Sequence, residues 1–483
     1  MSLHDERTRL QPRAAPSRGA TARGTPPRAA NSGGAEPGGA EPGGAAPPAL
    51  PARPARADGL VLLGEFAGSG LTRPVFLARR ADGQTVALTE LLACLVEAAD
   101  GTRDLAALAA HAGRRCARAV SAADVAYLLV TQLMPLGLIV GADGSAPAPR
   151  AVSLLTLAAR RTLLPAPVVY RISGVLAALF RPAALAALLA VLLAGDVWLF
   201  GRHSVRDSAA AVLANPAMIL VMVGLTLTCA LVHECGHAAA CRYGGARPGE
   251  IGVGMYLVWP AFFTDVTDSY RLSRWGRVRT DLGGIYFNGL FAVLLTGGFA
   301  LTHAKVLVTA ALVVHLDALR QLMPFVRLDG YYLVSDLIGV PDLFSRMGPA
   351  VGSARRGAAR ALTCWRRGRG APVPDPRLAG LTRRTRLLVT AWALCAASVL
   401  AMNLVTLLVY TPFVLPRTVV AVRGQFGRAT RALAGGELVT GLAEAVGVVL
   451  LALPAAGMVY ILVRLARRVA RVARTLLASR RRA

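Results

Sequence analysis

Residues 217–241 have the sequence AMILVMVGLTLTCALVHECGHAAAC, an apolar run with the motif H-E-x-x-H in its second half. The run is long enough to cross a membrane as a helix, because about 20 apolar residues at 1.5 Å each span the hydrocarbon. In a helix, residues four apart share one face, so His233 and His237 project toward a single point. Glu234 lies about 100° around the helix from His233. The segment therefore predicts a membrane-embedded metal site with a carboxylate beside it.

The chemistry typical of this motif is zinc-dependent hydrolysis. A catalytic Zn²⁺ has three protein ligands and keeps one position open for a water molecule, whose proton Glu234 would accept as general base. Two aspartates are candidates for the third ligand: Asp317, which Arg320 can pair three residues further on, and Asp329, which follows Pro324 and precedes a glycine. A polar cluster satisfied only by neighbouring helices is the alternative without a metal.

The composition of the chain is that of a membrane protein. Of its 483 residues, 54% are hydrophobic and 17% are charged, whereas soluble domains carry about 25% charged residues. The formal net charge is +27, but the arginines lie in the tails and between the apolar runs. This distribution argues against a nucleic-acid partner, which would need one basic folded surface, and indicates contact with the anionic lipids of a bilayer.

Six segments are predicted to cross the membrane, at residues 183–200, 217–241, 282–302, 306–326, 387–409 and 438–463. Arginine-rich connections normally stay in the cytoplasm. This rule predicts a multi-pass protein of the cell membrane with both termini in the cytoplasm, although the connection between the fifth and sixth spans also carries four arginines. The metal site would lie near the cytoplasmic side, because the histidines come late in a span that runs inward.

Composition divides the chain into seven segments. The first, residues 1–57, is rich in Ala, Gly, Pro and Arg and predicts a disordered tail. The others are a small α+β domain (58–145), a linker (146–182), a transmembrane core (183–343), a cytoplasmic basic loop (344–386), two further transmembrane helices (387–463) and a basic C-terminal tail (464–483). The expected fold is thus an all-α polytopic membrane protein preceded by a small domain and a tail.

The domain at residues 58–145 combines a predicted hairpin with three helices. Strand-like residues 75–78 and 85–88 flank the turn Ala81-Asp82-Gly83-Gln84, and helical patterns follow at 89–99, 104–110 and 122–133. The pattern resembles the small PqqD-like winged-helix domain that holds peptide segments in peptide-modifying systems, which implies a peptide ligand. A cytoplasmic regulatory domain without such a ligand fits equally well, since fold alone does not establish function.

The transmembrane core also resembles a known family. An H-E-x-x-H membrane helix followed by L-D-G at residues 328–330 is similar to the site-2 protease family of intramembrane zinc metalloproteases, most closely to its bacterial peptide zinc metalloprotease branch. The resemblance covers residues 183–343. It implies one Zn²⁺ bound by His233, His237 and Asp329, with Glu234 as the catalytic residue.

Two further elements of that family have counterparts here. Gly284 and Asn288 resemble its G-x-x-x-N element, although the usual proline is Ile285, and this implies that they bind the substrate backbone and the oxyanion. For Asn288 the alternative is a hydrogen bond to an adjacent helix. Residues 251–266 correspond to a membrane-associated hairpin that pairs with an unwound substrate strand, and a hairpin without a substrate role is the alternative.

The function predicted from these motifs is that of a zinc-dependent metalloendopeptidase of the site-2 protease type. Its substrate would be a membrane-associated or secreted peptide or protein, cut in or near the membrane by zinc-activated water. The alternative from another class is a non-catalytic membrane subunit for peptide export or immunity that retains the zinc fold.

Overall fold

The computed structural model describes residues 50–81, 85–141, 158–256, 259–364, 378 and 380–480. The expected tail up to residue 49, most of the predicted hairpin turn and part of the predicted linker lie outside these residues. The last residues assigned to the tail contact the N-terminal domain instead. Arg56 N donates a hydrogen bond to Ala99 O, and Ala57 N donates one to Leu138 O, each at 3.0 Å. The domain therefore begins before residue 58.

The N-terminal domain is a three-stranded antiparallel sheet packed on three helices. Leu95, Leu108 and Leu129, all fully buried, belong to its apolar core. The sheet order is β1-β2-β3, so the predicted hairpin gains one strand, whose register shifts near Gly64. The elements are β1 (Val61–Glu65), β2 (Phe76–Arg79), β3 (Thr85–Leu88), α1 (Glu90–Ala98), α2 (Leu105–Cys116) and α3 (Ala122–Leu128), which a π-helical turn (Leu129–Leu133) continues.

The rest of the described chain is mostly helical. Five of its helices are long and apolar enough to cross a membrane: Pro182–Arg202, Pro216–Tyr243, Arg274–Thr302, Arg383–Ala434 and the helix that begins at Leu438. The elements are β4 (Ala158–Leu164), α4 (Ala166–Leu176), α5 (Pro182–Arg202), α6 (Val205–Ala214), α7 (Pro216–Tyr243), β5 (Ile251–Tyr256), β6 (Trp259–Thr264), α8 (Arg274–Thr302), α9 (Lys305–Gln321), α10 (Asp329–Ile338), α11 (Leu343–Cys364), α12 (Arg383–Ala434) and α13 (Leu438–Arg480).

The fourth predicted span, residues 306–326, is shorter than expected. Its helix, α9, has 17 residues and ends at Gln321, and an irregular segment separates it from α10. Pro324 explains the break, because proline has no N–H to donate and moves the preceding residue out of the helical region. Within the described part of the chain, five of the six predicted spans therefore lie in helices long and apolar enough to cross a membrane.

Several predicted loops are helical. The fifth and sixth predicted spans are parts of α12 and α13, which have 52 and 43 residues. The arginine-rich connection between these spans belongs mostly to α12, α13 continues into the predicted C-terminal tail, and α11 occupies part of the predicted loop 344–386. Hydropathy shows where the apolar sequence ends. The helices continue beyond that point because Ala and Arg have high helix propensity.

The predicted linker contributes structure to the core. Its strand β4 pairs with β5, which pairs with β6, so the predicted hairpin at 251–266 becomes a three-stranded antiparallel sheet with β6 at one edge. The helix α4 packs on α7 through Val169, which is buried with Ala238. Both elements therefore hold the region around the H-E-x-x-H motif.

The helices α7 and α8 approach each other through glycines. A Cβ added at Gly283 would lie 2.5 Å from Gly236 O and 2.9 Å from Ala240 Cβ. No larger residue fits at this contact without moving one helix. Small residues at helix interfaces are typical of membrane proteins, because lipid supplies no hydrophobic driving force between helices and close packing must hold them together.

This contact can be tested with two glycines of the same helix. Gly283→Leu would push α8 away from α7, whereas an added Cβ at Gly297 has nothing within 4 Å. We expect Gly283→Leu to cost about 1–3 kcal/mol or more of stability, as overpacking does. Thermal unfolding of the detergent-solubilised protein measures the difference. Equal unfolding midpoints for Gly283→Leu and the Gly297→Leu control would contradict the described packing.

Candidate metal centre

The two motif histidines are neighbours on the buried face of α7. His233 is 4% exposed and His237 is 8% exposed, and their Nε2 atoms are 3.1 Å apart. Both rings lie against Gly284 of α8, where an added Cβ would be 2.6 Å from His237 Nε2 and would overlap His233 Nε2. The absence of a side chain at Gly284 therefore makes room for the imidazoles.

Asp329, the first residue of α10, completes the group. Its Oδ2 lies 3.0 Å from His233 Nε2 and 3.4 Å from His237 Nε2. The glycine of L-D-G has a steric role, because any Cβ at Gly330 would overlap the carbonyl group of Leu322. This close approach lets α10 begin against Leu322, the residue that follows α9. The side chain of Asp329 is then directed at the histidines of α7.

The spacing of these three atoms suits a metal ion. His233, His237 and Asp329 form the only group of at least three potential ligands found among the described residues. Ligands about 2.0–2.1 Å from a tetrahedral ion are about 3.3–3.4 Å apart, and the three observed separations are 3.1, 3.0 and 3.4 Å. The group could therefore hold a metal ion with little rearrangement.

The hydrogen bonds around the histidines favour a cation at the centre. His237 Nδ1 lies 2.8 Å from the carbonyl oxygen of Thr280, which can only accept, so this nitrogen donates. His233 Nδ1 lies 3.1 Å from Asn288 Oδ1 and donates in the same way. Each Nε2 then directs a lone pair at the other and at Asp329 Oδ2, a buried atom without a hydrogen-bond partner among the described residues. A positive ion satisfies all three atoms.

Glu234 lies beside the centre without belonging to the ligand group. Glu234 lines a cavity of about 1630 Å³ that both histidines and Asp329 also line. Thr264, at the end of β6, donates a hydrogen bond from Oγ1 to Glu234 Oε2 at 2.7 Å. The contact holds one of the two carboxylate oxygens in place.

The other predicted residues have distinct positions. Gly284 and Asn288 are not among the residues that line the cavity. Asn288 is 1% exposed and contacts His233, so both residues position imidazoles, and substrate binding by them stays a prediction. Asp317 is paired with Arg320 at 2.6 Å and lies outside the ligand group, so geometry favours Asp329 of the two candidates.

Further residues around the site carry no recognisable signal in the sequence. Thr280 contributes only its backbone carbonyl, and Thr264 is one hydroxyl in an apolar strand. One face of α13 forms a wall of the cavity, but α13 is apolar on most sides, so no periodicity marks that face. The α13 residues that line the cavity are Leu442, Ala445, Val446, Val449, Leu450 and Leu453.

The two candidate aspartates provide a test of the ligand group. We expect Asp329→Ala to weaken metal binding more than the 10- to 100-fold typical of losing a residue that only orients a ligand. Asp317→Ala should leave metal binding unchanged, because its carboxylate is paired with Arg320 outside the group. Elemental analysis and chelator competition on purified protein measure both. Parent-like metal content in Asp329→Ala would exclude this carboxylate as a ligand.

Comparisons with known proteins give no independent indication of identity. No protein-family model, curated protein or solved structure matches the chain. The metal centre is consequently interpreted from its own residues and distances.

Proposed function

We propose that this protein is a zinc-dependent endopeptidase of the site-2 protease type, which hydrolyses a peptide bond in or near the membrane. The observation that carries the proposal is the buried group of His233, His237 and Asp329, with the carboxylate of Glu234 beside it on one cavity. The resemblance of H-E-x-x-H and L-D-G to that family supports the same reaction.

Zinc is the metal that the donor set favours. Two imidazole nitrogens and one carboxylate oxygen are typical ligands of catalytic zinc sites, which keep a fourth position for water or substrate. When bound, Zn²⁺ lowers the pKa of water to near 7 and polarises a carbonyl group. Thr280 and Asn288 set the tautomers of the two histidines, so that the nitrogens facing the centre are free to bind.

Glu234 is the residue that we propose moves the proton. Thr264 holds its Oε2, so Oε1 would accept a proton from the attacking water and then return it to the leaving amine. Because Glu234 returns the proton, protonation of the leaving amine needs no other acid among the residues around the cavity. A residue with this role must be fixed yet open to the cavity, and Glu234 meets both conditions.

The substrate would bind in an extended conformation. A transmembrane helix satisfies its own backbone hydrogen bonds, so it must unwind before a peptide bond is accessible. β6 is an edge strand whose residues 260–264 line the cavity, and an edge strand can pair with an unwound segment through main-chain hydrogen bonds. The substrate class is therefore a membrane-associated or secreted peptide or protein, and the N-terminal domain would bind a peptide on the cytoplasmic side.

Glu234→Gln tests the proposal, because it keeps the shape of the side chain and removes the general base. We expect cleavage to fall about 10²- to 10⁴-fold, the usual contribution of a positioned acid or base, while metal content stays at the parent level. The membrane proteomes of cells producing the parent and the variant identify the cleaved substrates. Purified full-length protein then gives the rates on one of those substrates.

A matched control is Glu437→Gln, which lies in the turn between α12 and α13, away from the cavity. It should cleave at the parent rate. Equal cleavage by the parent and Glu234→Gln would remove the enzyme proposal. Metal binding without any cleavage product would leave the non-catalytic membrane subunit as the explanation.

A further inference from the structure

The connection between β1 and β2 joins the N-terminal domain to the core. The first part of this connection, residues 66–71, is named the docking loop. Gly70 N donates a hydrogen bond to Gly339 O at 2.8 Å, and Gly70 O accepts one from Thr382 N at 3.1 Å. Gly339 follows α10 directly and Thr382 precedes α12. The docking loop therefore lies between the end of α10 and the start of α12.

A buried arginine ties the same loop to α10. Arg277, on α8, is 1% exposed, and its Nε donates to Asp336 Oδ1 of α10 at 2.8 Å. One terminal nitrogen donates to Ala67 O of the docking loop at 3.1 Å, and the guanidinium lies 3.9 Å from the ring centroid of Phe66. The other terminal nitrogen donates to Leu272 O. A buried guanidinium with all these partners fixes their mutual positions.

The helix that these contacts hold carries the third potential ligand. α10 has ten residues, with Asp329 at its first position and Asp336 two turns later. A helix of that length is about 15 Å long and moves as one body. A displacement at Asp336 and Gly339 is consequently transmitted to Asp329, and a metal ligand tolerates only a few tenths of an ångström, about ±0.2 Å.

We propose that the docking loop of the N-terminal domain positions Asp329 through α10, so that the metal centre is complete only while that domain is seated on the core. Phe66, Gly70 and Arg277 act as positioning residues at a distance from the metal. The inference deepens the proposed function and rests on its metal centre. It makes the N-terminal domain a part of the site, in addition to any peptide that the domain binds.

A side chain introduced at Gly70 would displace the docking loop from the core. An added Cβ there would lie 2.5 Å from Thr385 Oγ1 and 2.6 Å from Ile338 O, whereas at Gly348, on α11, it has nothing within 4 Å. In the full-length protein we expect Gly70→Ala to weaken Zn²⁺ binding about 10- to 100-fold, as loss of a supporting contact does. Gly70→Leu should have a larger effect, and Gly348→Ala should have none. Chelator competition gives the affinities.

Two further measurements distinguish a displaced Asp329 from unfolding of the N-terminal domain. The visible spectrum of the Co²⁺-loaded protein should lose intensity in the Gly70 variants, because loss of the Asp329 contact changes the coordination geometry. Hydrogen exchange at Leu77 and Ala78 should stay slow, because these residues belong to the buried core of the N-terminal domain. Phe66→Tyr, which keeps an aromatic face for Arg277, should retain the parent affinity, and Phe66→Ala should not.

The outcomes distinguish this inference from the proposed function. A parent protein that binds no Zn²⁺ would overturn the proposed function and this inference with it. A parent that binds Zn²⁺, together with affinities within about twofold for Gly70→Ala and Gly70→Leu, would overturn this inference alone. Weaker binding accompanied by fast exchange throughout the N-terminal domain and parent-like Co²⁺ spectra would also overturn it, since the cause would then be unfolding.

Discussion

The close approach of α7 and α8 is the constraint on which the rest of the site depends. Helices in lipid are held by packing, and the backbones at Gly236 and Gly283 are near enough that neither position tolerates a side chain. This proximity places the imidazoles of α7 over Gly284 and brings their Nδ1 atoms to acceptors on α8. Ring orientation, tautomer and ligand spacing all follow from one helix contact. The position of the third potential ligand, Asp329, depends on a second feature, the break between α9 and α10.

The N-terminal domain contacts the core at more than one place. Besides the docking loop, Arg79 of β2 pairs with Asp265 after β6 at 2.8 Å. Burial acts to raise the pKa of Asp265, but hydrogen bonds from Thr267 and the charge of Arg79 outweigh it and lower the pKa. A lowered carboxyl pKa means that this contact is fully present at neutral pH and is lost only as the pH falls through the acidic range.

The sequence predicts local features of this protein well and distant contacts poorly. Helical spacing suffices to place His233, His237 and Glu234, because all three lie within five residues. Asp329 is about 90 residues away. The nearby Arg320 already offers Asp317 a partner, and the resemblance to a family implies Asp329, but only the two distances from Asp329 to the histidines place it in the ligand group. β4 was assigned to a linker for the same reason, since its partner strand β5 comes about 90 residues later. Hydropathy identified most of the spans but not the ends of the helices, which continue into charged sequence.

The length of α12 has a consequence outside the site. At 1.5 Å per residue its 52 residues, which include Pro412 and Pro416, follow a path of about 78 Å. A bilayer with its headgroups is about 40–45 Å thick. A straight helix of that length would cover about 60 Å along a membrane normal even at the steepest usual tilt of about 40°. Together with α13 it forms a hairpin braced by the ion pair of Arg428 and Glu444. A helical hairpin longer than a bilayer is thick would project from a nanodisc and would help to align single particles in electron micrographs.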